Sequence, residues 1–203
     1  MIQKYSRTTA GYLTWEDANR CLEILERKLD YKYLLLMGIG FNTGLRISDI
    51  RRLKWKDLMG RNLTVVEKKT ENTKRIRAHR VIKINDRLRA IINLAKDNLG
   101  IQNLNEYIIV NRYGDGAVSV SFINRKIKEV VIGHGMHPAD DSGNICTHIM
   151  RKTFGRRVWD KGERKAEALI LLSKVFNHSS VGQTITYLGI TQNEIEGIYE
   201  NLN

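Results

Sequence analysis

His148 and Arg151 stand three residues apart in Cys146-Thr147-His148-Ile149-Met150-Arg151-Lys152-Thr153-Phe154-Gly155. Residues at that spacing share a helix face, so an imidazole and a guanidinium would point at one ligand. Thr147, read as the N-cap, would aim free backbone N–H groups and the positive helix end the same way. The pattern describes an anion site with a proton-transfer group beside it. Four further pieces line up with it. Thr43-Gly44-Leu45-Arg46 delivers a second guanidinium from a glycine turn at a helix start, with Asp49 three residues on to steady it. Lys69 lies in a very basic turn, with Lys68 and Lys74 as competitors for the same role. His178 lies in Asn177-His178-Ser179-Ser180, and Tyr187 follows nine residues later.

Composition points to the anion. The chain has 203 residues, 42% of them apolar, and a net charge of +12. That size suits one domain with a real core, and that charge suits a polyanion, most commonly nucleic acid. A merely solubilising, ribosomal or membrane-surface charge is the bland alternative. The two cysteines, Cys21 and Cys146, are far apart and form neither a disulfide framework nor a metal spacing. No stretch approaches the ~20 apolar residues needed to cross a bilayer, and the N-terminus lacks the apolar core of a signal peptide. The expectation is a soluble, cytoplasmic protein without a membrane partner.

The elements that must position these groups are legible in outline. Thr14 and Asp17 form a capping box ahead of Ala18, Cys21, Leu22, Leu25 and Leu29, which recur at helical spacing. A second helix is predicted over 31–41, ended by Gly44 in a left-handed conformation. A short third helix carries Arg46 to Leu53. β-branched residues over 63–67 and alternation over 76–84 predict a hairpin with a very basic tip. Helices are expected over 86–99, closed by Gly100, and over 122–131, with a short apolar piece over 107–110. Residues 133–144 read as loop. A helix over 148–161 follows, then a core helix over 163–176 with Ala166, Leu169, Ile170, Leu172, Val175 and Phe176 on its apolar side. A short helix carries Tyr187, and a last one spans 192–199. The fold class is α+β, mainly α-helical, with one small antiparallel hairpin.

Read together, "TGLRISDI", a hairpin "KKT", "HIMRKTF" and "HSS" followed by Tyr187 occur in the order of a known family. The chain resembles the catalytic domain of the tyrosine recombinases, also called the phage integrase family, from Leu13 to about Ile190. The resemblance implies roles. Arg46 and Arg151 would clamp the scissile phosphate, Lys69 would be the hairpin lysine, and His148 and His178 the two flanking histidines. Tyr187 would be the nucleophile, and Asp49 would support the first arginine. Lys152 stands where relatives often have histidine, and Asn177 where they often have glycine; neither position needs a titrating group.

These residue types suit the reaction on chemical grounds. Transfer of a phosphodiester to a side chain needs a nucleophile, neutralised phosphoryl oxygens and a proton for the leaving oxygen. Two planar guanidinium forks match those oxygens, so no divalent metal is required. No clustered carboxylates suggest a two-metal site. His134, His137, Asp140 and Asp141 fall in the loop without ligand geometry. No metal or cofactor is expected.

The expected partner is double-stranded DNA, with four protomers on two DNA sites during synapsis and a monomer free in solution. Residues 1–203 are read as a single catalytic domain without a separate N-terminal core-binding domain. The segment Thr191–Asn203 is the candidate for docking on a neighbouring protomer. The expected function is site-specific recombination or integration through a 3′-phosphotyrosine. Alternatives are a catalytically silent DNA-binding regulator and a relaxing topoisomerase of type IB character.

Overall fold

A computed structural model describes residues 10–66, 79–114, 116–140 and 144–194. Its elements are α1 (Trp15–Arg27), α2 (Tyr31–Thr43), α3 (Ile47–Ile50), β1 (Asn62–Val66), β2 (His79–Lys83), α4 (Asp86–Asn98), α5 (Val120–Ile132), α6 (His148–Lys161), α7 (Lys165–Phe176) and α8 (Val181–Leu188). The architecture is mainly helical with one two-stranded antiparallel sheet among the described residues. Register runs from Asn62 opposite Lys83 to Val66 opposite His79.

Helix α2 lies at the centre. Tyr33 to Phe41 is buried without interruption, as befits a helix apolar all round. It packs against α1, α4 and α6. Gly40 lets α6 come close, since a Cβ there would lie 2.7 Å from Met150 Sδ. Thr14 caps α1 as its capping box implies, its side chain accepting from Asp17 N–H at 3.0 Å. Leu29 does not continue the buried stripe of that helix. It follows the helix end with a φ of 56° and is 68% exposed.

Two apolar clusters result. The larger takes in α1, α2, α4, α5, both strands, and Ile149 and Met150 at the start of α6. The smaller comprises Trp159, Ala168, Leu172, Phe176, Leu188 and Ile190. Its helix α7 departs from the expected apolar side. Ala168, Leu172 and Phe176 are buried at steps of four, whereas Ile170 and Leu171 are 46% and 59% exposed. Ala166 is exposed as well. Residues 107–110 form isolated bridges, Lys54 with Tyr107 and Val110 with Ala117, and no continuous strand.

Candidate active site

Helix α6 begins at His148, but Thr147 is no side-chain cap. It is itself helical (φ −56°, ψ −23°) and its hydroxyl makes no cap hydrogen bond. Its N–H donates to Asn124 Oδ1 at 2.8 Å, so α5 anchors the helix start. Arg151 follows one turn later and is 2% exposed. A buried guanidinium must be satisfied. Nη1 donates to the Gly44 carbonyl at 2.5 Å and Nη2 to the Phe176 carbonyl at 2.7 Å. Its Cζ lies 4.3 Å from the centroid of the Phe176 ring.

Gly44 ends α2 in the left-handed region (φ 62°), and a Cβ there would meet the Phe154 ring at 2.5 Å. The turn therefore demands glycine on two counts. It delivers Arg46, the residue preceding α3. Arg46 Nη2 also donates to the Phe176 carbonyl, at 3.0 Å. One main-chain oxygen thus holds both guanidinium groups.

That oxygen is available for a local reason. Helix α7 ends in a Schellman motif, with Asn177 at φ 49°, the His178 N–H bonded to Ser173 O and the Asn177 N–H to Lys174 O, each 3.0 Å. The Phe176 carbonyl is one of the last four of the helix, which have no intrahelical donor. It also carries the negative end of the helix dipole, a suitable partner for cations. Asn tolerates the left-handed conformation better than other residues with a Cβ, which explains its presence where glycine was expected.

The same turn brings in His178. Its Nδ1 lies 2.9 Å from Thr184 Oγ1, a buried hydroxyl on α8. Its ring meets that of Tyr187 edge-on, with centroids 5.3 Å apart, and Phe176 at the same distance. The phenolic oxygen of Tyr187 is buried and has no well-formed hydrogen bond among the described residues. Burial pushes the phenol up to about 12, while Arg151 and, less strongly, Arg46 draw it down. The phenol is therefore protonated at neutral pH, and it lies near enough to both guanidiniums to feel their charge.

Arg46, His148 and Arg151 line one small cavity of about 200 Å³ with Leu45, Ile47, Ser48 and Thr147. His148 is exposed there. Partial desolvation, then the charges of Arg151 and Arg46, hold its imidazole below the usual 6.5. Because the ring keeps contact with solvent, the two cations are the cause we weight more. The cavity is small, cationic and open, which suits a phosphoryl group flanked by an uncharged imidazole.

Of the residues singled out in the sequence, Arg46, His148, Arg151, His178 and Tyr187 come together. Lys69 lies outside the described residues. Asp49 is 2% exposed, its N–H donating to the Arg46 carbonyl and its Oδ1 accepting from Ser48 at 3.4 Å. Its side chain lines a separate small cavity with Arg52 and Asp57. Composition and spacing did not reveal the Phe176 carbonyl, Thr184 or Gly155. A Cβ at Gly155 would lie 2.5 Å from Leu188 Cδ2 and 2.8 Å from Phe176 Cζ, so this glycine seats α7 and α8 against α6. The "TF" followed by glycine was the available signal.

Lys152 is buried too. Its Nζ is 2.6 Å from Asp140 Oδ2 and 2.9 Å from the Ala10 carbonyl, and a Cβ at Gly189 would meet it at 3.2 Å. It joins the loop before α6, the N-terminal approach and the end of α8. A larger cavity of about 600 Å³ lies apart from these groups, lined by Lys32, Tyr33, Arg112, Tyr113, Phe122 and Arg125 among others. Arg112 sits 4.6 Å over the Tyr113 ring and Arg125 4.5 Å over Phe122.

Comparison with known proteins accords with this geometry. The profile of the family described as "Phage integrase family" matches residues 11–194. A probable integrase/recombinase, YoeC of Bacillus subtilis (strain 168), is 30% identical over 176 residues, covering 86% of this chain and 85% of that protein. Among solved structures, the XerA recombinase superposes with a TM-score of 0.71 at 19% identity, covering 95% of this chain and 65% of XerA. The Tn1549 transposon integrase in complex with transposon right end DNA gives 0.70 at 17% identity, covering 99% of this chain and 68% of that one. A lambda integrase dimer bound to a COC′ core site gives 0.64 at 18% identity, with 91% of this chain and 49% of that one covered. The chain thus spans about half to two thirds of these solved relatives, which share its fold.

Proposed function

The chain belongs to the phage integrase family, and from that premise we propose that it recombines DNA at specific sites through a 3′-phosphotyrosine on Tyr187. The single observation that carries this reading is the meeting of Arg46 and Arg151 on the Phe176 carbonyl, with the phenol of Tyr187 buried beside them. The two guanidiniums face a scissile phosphate and neutralise the charge that grows on its oxygens in the transition state. Tyr187 Oη attacks phosphorus, and the bond from phosphorus to the 5′ oxygen breaks. The phenol proton passes to His178, which is already packed against the ring. Lys69 donates a proton to the departing 5′ oxygen. Reversal by a new 5′ hydroxyl rejoins a strand without ATP, because the phosphotyrosine conserves the bond energy. His148, held uncharged at neutral pH, donates a hydrogen bond to a phosphoryl oxygen.

DNA is the partner in this reading. The net charge of +12 supports it, as does the cavity where Arg112 and Arg125 stack on exposed rings. Such pairs suit phosphates and base faces. A tetramer on two sites is the assembly that exchange between two duplexes requires. The chain acts as the catalytic domain.

The test is capture of a covalent protein–DNA adduct on nicked fragments, followed by sequencing of the attached DNA. A defined set of sequences joined through residue 187 is expected. Tyr187→Phe should form no adduct, yet fold at least as stably, because it removes a buried hydroxyl with no good partner. Absence of any adduct favours a silent DNA-binding regulator. Adducts and supercoil relaxation without sequence preference favour a topoisomerase.

A further inference from the structure

The helix that carries Tyr187 buries Thr184 and Leu188, with Ile185 and Tyr187 part-buried against the small cluster. Both of its ends are tied by polar contacts as well. At the start, Ser180 caps it and Thr184 is tied to His178. At the far end, Gly189 turns the chain at φ 65°, and a new helical turn begins at Thr191. Thr191 and Glu194 cap one another: Glu194 N–H donates to Thr191 Oγ1 at 3.2 Å and Thr191 N–H to Glu194 Oε2 at 2.8 Å.

Glu194 then returns to α6. Its carboxylate takes both arms of Arg156, Nη2 to Oε1 at 2.6 Å and Nη1 to Oε2 at 3.3 Å. Arg156 is 7% exposed. Its Nη2 also donates to the Tyr12 hydroxyl at 2.9 Å, and its guanidinium lies 4.5 Å over the Tyr12 ring and 5.1 Å from that of Trp159. A bidentate, charge-assisted pair of this kind is directional and short. It adds a directional tie to the apolar contacts of α8. Arg156 also neighbours Gly155, where Leu188 of α8 lies against α6.

We infer that Arg156 and Glu194 are positioning residues for Tyr187: their clasp pins the chain seven residues beyond the phenol and so holds α8 against the guanidinium pair. Neither lines the cavity of Arg46, His148 and Arg151. This role rests on the proposed function, and its test separates the two. Single-turnover adduct formation is followed on a nicked DNA taken from the capture experiment, at several DNA concentrations, for the parent, Glu194→Gln and Arg156→Lys. Glu194→Gln keeps size but replaces one acceptor oxygen by a donor, and Arg156→Lys keeps the charge without the planar fork, so both lose the paired, bidentate geometry.

The rate constant at saturating DNA should fall about tenfold in each, within the up to ~100-fold that an ångström of misplacement costs. The DNA concentration for half-saturation should stay unchanged. A purely structural loss lowers the amplitude of the adduct, because fewer molecules are folded, and leaves the rate constant alone. Circular dichroism and thermal midpoint monitor folding independently. The double variant should lose no more than the worse single one, because the two residues act through one contact. A rate constant equal to or above the parent's in folded Glu194→Gln overturns the inference. A parent that forms no adduct at Tyr187 overturns the proposed function instead.

Discussion

The molecule is built on two cores of unequal depth, and its site draws from both. The large core spans most of the chain and fixes Arg46 and the start of α6. The small one is six buried residues around Phe176, and it carries His178 and Tyr187. Arg151 stands on the seam, one arm on Gly44 and the other on Phe176. In the proposed reaction the clamp for the anion is thus set in the deep part and the attacking group in the shallow part. Elements with little buried apolar surface open at lower free energy than the body of a domain. On the proposed function, the difference gives rigidity to charge stabilisation and adjustability to the nucleophile. It also explains why the small core depends on polar ties such as Thr184 with His178 and Arg156 with Glu194.

Breaking the seam should have the largest effect. In Gly155→Val the new side chain enters the space of Leu188 and Phe176. We expect a loss of roughly 1–3 kcal/mol from overpacking and on the order of 100-fold in adduct formation. Hydrogen exchange should localise the loosening to α7 and α8, with α2 still protected. Equal loosening of both cores would contradict the division.

A smaller effect is expected at the turn that exposes the shared carbonyl. Asn177→Val places a β-branched residue at φ 49° and should lose about 1–2 kcal/mol, with weaker adduct formation. Asn177→Gly should be neutral or slightly stabilising. Chemical denaturation of the three proteins measures this. If valine is tolerated as well as glycine, the left-handed turn is not what orients the carbonyl.

The smallest effect concerns His148, which faces both guanidiniums from the deep side. Its folded-state pKa is depressed, so the unfolded chain binds the proton more readily. Stability should therefore decline as pH falls below the unfolded value near 6.5. His148→Asn should flatten that part of the stability–pH curve between pH 6.5 and 5. An unchanged slope would show that the cations do not act on this ring.

Much of this was legible from local pattern. The cap at Thr14, the left-handed Gly44, the span of α6 and a short helix around Tyr187 each have a signature within a few residues. Leu29 was misplaced because periodicity reports a face and not where the helix stops. The apolar side of α7 was misjudged because its sequence is apolar nearly all round, and only packing selects Ala168, Leu172 and Phe176 over Ile170. Nothing in the local pattern marks Lys152 or Arg156 as buried. Their partners lie 12 and 38 residues away, and no local rule connects them. Five of the side chains singled out by type and order lie near one another, whereas the atom that holds two of them has no letter in the sequence.

That atom is the Phe176 oxygen, and it lies beyond the reach of codon change. Replacing residue 176 alters a ring and its neighbours but returns the same acceptor to both guanidiniums. The distance between the two cations is thereby inherited from helix geometry, whatever side chains drift around it. Only altering the linkage itself probes this directly: an ester in place of the 176–177 amide would make that oxygen a poorer acceptor and spread the forks apart.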